Sequence, residues 1–394
     1  MAERIANKGY FALKVQATKP AAVTPNDYIP LYRENLTTNI NLDEDNPIVG
    51  HKFLRHQVLQ GQRSHKGEIS VYAEPNTAAK LFDMVLTKGA PSGGGPYTHP
   101  FTLSATTDPN AYTVDIAKGA MVFRYIGVEA SEISPTFEEN KMVLNLKVSA
   151  LKSFSVRELS GTPTGTNPYT IVLKTDYDPS PTDGLVVGDI MTLFKADGST
   201  VNFAVASIVD ATSITTTTDV TSGAAADFIT LRPASPSFTM KSPFLWSATE
   251  FRYGATAAAA LSAAQTRHEK GSMWKILHPF ESEDGAMRSG ALDPAALVRL
   301  QGDAEFNSKL FFDTVDDLNR FNARTKRAVV IRHFSEGSTY ELRITINNMK
   351  ARAGGHPPVE SGGIIYQELD WAPTYDSSDA QGVDVKVINN LATI

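Results

Sequence analysis

Between residues 66 and 74, apolar Ile69, Val71 and Ala73 alternate with Glu68, Ser70, Tyr72 and Glu74. This period of two marks a strand with one buried face. Pro75 stops it, because proline donates no ladder hydrogen bond. Asn76 is suited to cap a following helix. There Ala78, Leu81, Phe82, Val85 and Leu86 recur at i, i+3, i+4, i+7 and i+8 as an apolar stripe, with Gly89 near its end. A loop over 90–100 leads to strand candidates at Phe101–Leu103, Ala111–Ile116, Met121–Ala130 and Met142–Leu151, with a hairpin tip in 134–141. A related order returns later. Leu300, Gly302, Ala304 and Phe306 share one face of a strand, and a helix follows over about 314–324 with Val315, Leu318 and Phe321 on one side. Strands are then expected at Ala328–Phe334, Tyr340–Met349, Ile364–Trp371 and Val383–Asn389, with a loop over 351–363. The repeated order points to duplication.

Between the two copies, 160–238 is rich in Thr, Val, Asp and Gly, with turn signals every eight to twelve residues. That spacing predicts a small sandwich or barrel. Its Gly/Pro-rich ends suit a domain looped out of a host. Residues 1–50 show prolines and acids but little periodicity, which predicts a purposeful arm or long loop. Residues 253–271 fit either an Ala-rich helix or an extended arm.

Composition narrows the function. The chain has 394 residues, no cysteine and a net charge of −6. Disulfides, thiolate metal sites and thiol catalysis are excluded, and the acidic balance argues against generic nucleic-acid binding. No apolar run reaches the roughly 20 residues that span a bilayer, and the N-terminus lacks the apolar core of a signal peptide. G-x-S-x-G, H-E-x-x-H and the phosphate-binding G-x-x-x-x-G-K-[ST] are all missing. His51, His56 and His65 have a spacing that suits neither a helix face nor a strand face for metal ligation. The acidic groups Asp43, Glu44, Asp45 and Glu281, Glu283, Asp284 read as solvated faces. Arg320, Arg324, Lys326 and Arg327 bracket the second helix end, complementing its dipole and the acidic surface of a neighbour.

The blocks KGEISVYAEPNTAAKLFDMVLTKG and AMVFRYIGVEASEISPTFEENKMVLNLKVSA resemble the first half of the large tail tube proteins of long-tailed bacteriophages. DAEFNSKLFFDTVDDLNRFNARTKRAVVIRH and YELRITINNMKARAGGHPPVESGGIIYQELDWAPTYD resemble the second half. The likeness lies in hydrophobic blocks and turn positions over about 1–158 and 240–394, and does not extend to 160–238. It implies a mainly β fold with short helices: two tandem tail-tube-type β-sandwich units, each with one flanking helix (1–158 and 240–394), plus a small inserted all-β domain (159–239) on the tube exterior. It further implies homotrimeric, pseudo-hexameric rings stacked into a virion tail tube that conducts double-stranded DNA without sequence-specific binding or membrane insertion; a non-contractile tail suits such a decorated tube better than a contractile one. The expected partners are a tape measure protein, a tail terminator and baseplate proteins. No catalytic residue, cofactor or metal is expected. Candidate ring–ring or inter-subunit contacts are Tyr28, Leu31, Asp43, Glu44, Asp45, Phe137, Arg324, Arg327, His356 and Tyr366. The alternative functions are a baseplate or surface adhesin that binds a host glycan or receptor through 159–239, and a glycosidase with dispersed carboxylates.

Overall fold

The computed structural model describes residues 9–45, 57–104, 106–176, 178–238, 240–265, 269–287, 291–312, 315–335, 337–354, 365–374 and 382–394. The fold is mainly β with three short helices. The first part runs β1 (Tyr10–Val15), β2 (Asp27–Pro30), β3 (Arg33–Glu34), β4 (Thr37–Asp45), β5 (Gln57–Tyr72), α1 (Pro75–Asp83), β6 (Thr87–Lys88), β7 (Tyr97–Thr102), β8 (Tyr112–Lys118), β9 (Met121–Glu138), β10 (Lys141–Ala150) and β11 (Lys152–Phe154). The middle holds β12 (Arg157–Glu158), β13 (Tyr169–Val172), β14 (Ile190–Phe194), β15 (Thr200–Ala204), β16 (Ser207–Ile208), β17 (Ser213–Thr216) and β18 (Phe228–Leu231). The last part holds β19 (Thr249–Gly254), α2 (Ala257–Ser262), β20 (Met273–Leu277), β21 (Asp303–Phe311), α3 (Asp316–Ala323), β22 (Arg327–Ser335), β23 (Tyr340–Gly354), β24 (Tyr366–Pro373) and β25 (Val383–Asn389).

One pairing scheme occurs twice. In the first part β5 pairs with β10, and β10 with the C-terminal half of β9. The N-terminal half of β9 lies between β8 and β11, and β8 continues to β1. In the last part β21 pairs with β24, and β24 with the C-terminal half of β23. The N-terminal half of β23 lies between β22 and β25, and β22 continues to β19. The irregularities match as well. The β8/β9 register shifts between Tyr112 and Val114, and the β22/β23 register between Arg327 and Val329. In each case the longer strand carries the extra residue, which bends it from one layer into the other. In β9 the bend contains Gly127 at φ +66°, where a side chain is disfavoured.

The two parts join edge to edge, with Ile276 of β20 opposite Ile133 of β9. The result is a continuous antiparallel sheet in the order β4-β5-β10-β9-β20-β21-β24-β23, eight strands wide. One face buries Ile69, Leu144, Ile133, Trp274, Phe306 and Trp371 in a core shared by both parts and by α1. A second tie comes from the β6/β7 excursion, which pairs with β25.

Several expectations change. Residues 10–45 form four strands rather than an irregular arm. Tyr10, Phe11, Ala12 and Leu13 are all buried, so β1 is covered on both faces and lacks the alternation that marks a strand with one wet side. The loop at 90–100 is partly strand β7. Asn76 does not cap α1: the cap residue is Glu74, with Pro75 at the first helical position. Leu300 is half exposed and precedes β21, which starts at Asp303. Among its described residues the Ala-rich segment is helical over Ala257–Ser262, where the Thr256 side chain accepts from the Ala259 amide. The middle strands are not a self-contained sandwich. Their core residues, among them Met191, Phe203 and Ile229, pack in one cluster with Tyr10, Ala12, Val122 and Phe154 of the first part.

Candidate functional site: a polar sheet face with two open edges

The face of the eight-stranded sheet turned from the core is polar because the period of two places Glu68 and Lys66 (β5), Lys147 (β10), Glu132 (β9), Lys275 (β20), Glu305 and Lys309 (β21), Glu368 and Asp370 (β24) and Arg352 (β23) on it. Lys66 pairs with Asp284 of the β20–β21 connection at 2.9 Å, and the other four cations meet acids on adjacent strands. Lys147 Nζ stands 2.9 Å from Glu132, Lys275 3.3 Å from Glu132 and 3.9 Å from Glu305, and Arg352 2.8 Å from Asp370; Lys309 pairs with Glu368. The hydrogen bond to Glu132 pushes the Lys147 ammonium pKa up. Glu132 and Lys275 face each other across the joint between the two parts.

Behind that joint lies a buried clamp. The connection from β20 to β21 crosses onto the first part. Arg299 there donates to Glu129 at 3.0 Å, to the Ala130 and His278 carbonyls at 3.0 and 2.9 Å, and to the Met84 carbonyl at 3.2 Å. Burial lowers the Arg299 pKa, opposed by the Glu129 charge. Glu129 also receives Lys19 at 2.5 Å. Asp293 from the same connection lies 3.2 Å from the buried His65. Charges desolvated this far hold one geometry, because any other leaves a buried charge unpaired.

Among the described residues, both ends of the sheet are open. Among the described residues, no backbone hydrogen bond reaches the outer side of β4, and none reaches the outer side of β23 beyond Met349. On β4, Ile40 and Leu42 are 49% and 60% exposed. Unpaired strand edges with exposed apolar side chains are templates for pairing with another chain.

The residues singled out from the sequence fall in several places. Asp43, Glu44 and Asp45 are the last residues of β4, on the open edge strand. Tyr28 lies in β2 at an exposed position, edge-on to Tyr10 at 5.2 Å, and half-buried Leu31 follows it against the core. Phe137 faces inward, 5.0 Å from the Trp246 ring, and so packs the first part on the last. Arg324 is exposed and ends α3 in the left-handed conformation. Arg327 is buried over the Tyr253 ring at 4.3 Å. Tyr366 begins β24, stacked near Phe311 with Lys270 over its ring. His356 lies outside the described residues. Sequence reasoning missed the Glu129–Arg299 clamp; neither residue lies in a motif, and the two meet only through the fold. No helix among the described residues is long and apolar enough to cross a membrane. No group of His, Asp and Glu there could hold a metal ion. No protein-family model matches the chain, and no curated protein matches it.

Proposed function

We propose that the chain is a structural subunit of a tubular wall, the tail tube of a long-tailed bacteriophage, and not an enzyme. The observation that carries this reading is the continuous eight-stranded sheet, ion-paired on one face and unpaired at both outer edges. Such a sheet joins head to tail, and a heterologous joint of this kind closes rings when the rotation permits. Three chains would close a wall of 24 strands. At about 4.8 Å per strand the circumference is about 115 Å and the backbone diameter at least about 37 Å, widened further by strand tilt. That is a channel rather than a packed core.

The polar face would line it. Retention of DNA needs cations free to replace phosphate counterions, whereas Lys147, Lys275, Lys309 and Arg352 are engaged with Glu132, Glu305, Glu368 and Asp370, and Lys66 with Asp284. A duplex would slide past a wall of neutralised pairs. Tape measure, terminator and baseplate proteins would meet the tube within the virion tail, with assembly in the host cytoplasm.

Negative-stain imaging and sedimentation of the concentrated protein test the reading. Rings or hollow tubes are expected. A chain that remains monomeric at every concentration, and fails to extend purified tube seeds, contradicts it.

A further inference from the structure

The joint inside the chain is a template for the joint between chains. Gly67 lies opposite Val148 in the first part as Phe306 lies opposite Trp371 in the last. Val148 in turn faces Ala130, and Trp371 faces Ala351. Beyond these pairs each long strand skips one residue, Ser131 in β9 and Arg352 in β23. Ala130, Ser131, Glu132 and Ile133 therefore correspond to Ala351, Arg352, Ala353 and Gly354. On the opposite border Lys66 faces Thr37 and Glu305 faces Lys275. Lys275, Ile276, Leu277 and His278 thus correspond to Thr37, Thr38, Asn39 and Ile40.

Within the chain, Ile276 pairs with Ile133 and Leu277 with Glu132, and the His278 amide donates to the Ser131 carbonyl at 2.8 Å. We infer that a second copy of this chain completes the open edges by the same pairing, with Thr38 opposite Gly354, Asn39 opposite Ala353, and the Ile40 amide donating to the Arg352 carbonyl. The partner is fixed by three observations. The two borders are the free members of a pairing scheme whose other members already meet; both are strands of the same sheet; and Ile40 and Leu42 stand exposed on the border that a neighbour would cover. At this second joint Thr38, Asn39, Ala353 and Gly354 stand where the first has Ile276, Leu277, Glu132 and Ile133, so it offers less apolar contact. Its specificity therefore rests on backbone pairing. The register rests on the tube reading, but it can fail separately.

Cysteine crosslinking tests it. The chain has no cysteine, so any disulfide comes from introduced pairs. Asn39 and Ala353 are both exposed. Directly opposed residues place Cα atoms about 4.5–5.5 Å apart, within the range a disulfide spans. After oxidation, the assembled Asn39→Cys/Ala353→Cys variant should run as an interchain ladder on non-reducing gels. A mixture of the two single variants should stop at dimers. The pair Thr37→Cys/Ala353→Cys is displaced by two residues on the same face and should crosslink several-fold less. Rings or tubes that form without the 39–353 disulfide, or that prefer 37–353, overturn the register while leaving the tube reading intact. A chain that never assembles overturns both.

Discussion

Arg124 holds the middle strands to the first part, and its removal has a calculable cost. It stands in β9, 1% exposed. Nε and Nη2 donate to Asp115 at 2.7 and 2.9 Å, and Nη1 and Nη2 to Asp189 at 2.5 and 3.2 Å. Asp189 keeps two other donors, the Thr24 hydroxyl at 2.9 Å and the Val186 amide at 2.8 Å. Asp115 has no side-chain hydrogen-bond donor besides Arg124 among the described residues. Burial already pushes its carboxyl pKa up, against the pull of the guanidinium. Arg124→Met keeps much of the volume and removes every donor, so Asp115 must take a proton in the folded state. Its unfolded pKa is about 3.9, so protonation at pH 7 spans about 3 pH units at about 1.36 kcal/mol each, or about 4 kcal/mol. At pH 5 the same cost is about 1.5 kcal/mol. The variant's folded pKa is raised, so its deficit is smallest below pH 4 and grows as pH rises. Urea unfolding followed by far-UV circular dichroism at pH 5 and pH 7 reads this directly. Fluorescence of Trp246, Trp274 and Trp371 reports the core shared by the first and last parts. Adding Asp115→Asn should recover most of the loss at pH 7 and remove its pH dependence. A deficit under about 1 kcal/mol at pH 7, or one equal at both pH values, refutes the reasoning. It would mean that water in the cleft of about 400 Å³ beside Asp115 and Arg124 solvates the carboxylate.

Other perturbations give equally definite outcomes. His333 is fully buried, accepts from Trp274 Nε1 at 3.1 Å, and has its pKa lowered to about 3 by burial. The unfolded state binds its proton first, so stability should fall as pH drops from 6.5 toward 3, by about 2 kcal/mol at pH 5; His333→Gln should flatten that slope in urea titrations. Trp371→Ala empties a site 1% exposed and loses the Nε1 bond to Ser308. It should cost about 3–5 kcal/mol by the same assay. A Cβ at Gly67 would stand 2.5 Å from the Leu36 Cα. Gly67→Ala should therefore cost at least about 1–3 kcal/mol and weaken assembly in sedimentation, because it displaces the chain leading into β4.

The elements legible in the sequence were those with one wet face. Ile69 and Val71 in β5, and Leu342, Ile344 and Ile346 in β23, alternate with polar neighbours, and Val383–Asn389 has the bounds expected for it. β1 escaped notice because Phe11 and Leu13 pack into the main core while Tyr10 and Ala12 pack into the cluster of the middle strands, so nothing alternates. The docking of those strands was hidden for another reason: Asp189 lies 65 positions from Arg124, and neither belongs to a motif. The candidate surface was partly readable. Alternation foretells a polar sheet face, but not which strand is left on the border. That depends on the β9–β20 joint, a contact between residues 143 positions apart in sequence, Ile133 and Ile276.

The central claim is that copies of this chain extend one sheet into a closed wall. Cryo-electron microscopy of assembled protein, viewed along the axis, tests it most directly. The account predicts three chains per ring, 24 strands around a hollow centre, and β4 of each chain hydrogen-bonded to β23 of the next. Rings in which those two edges remain apart, or a sheet that closes within one chain, would contradict it.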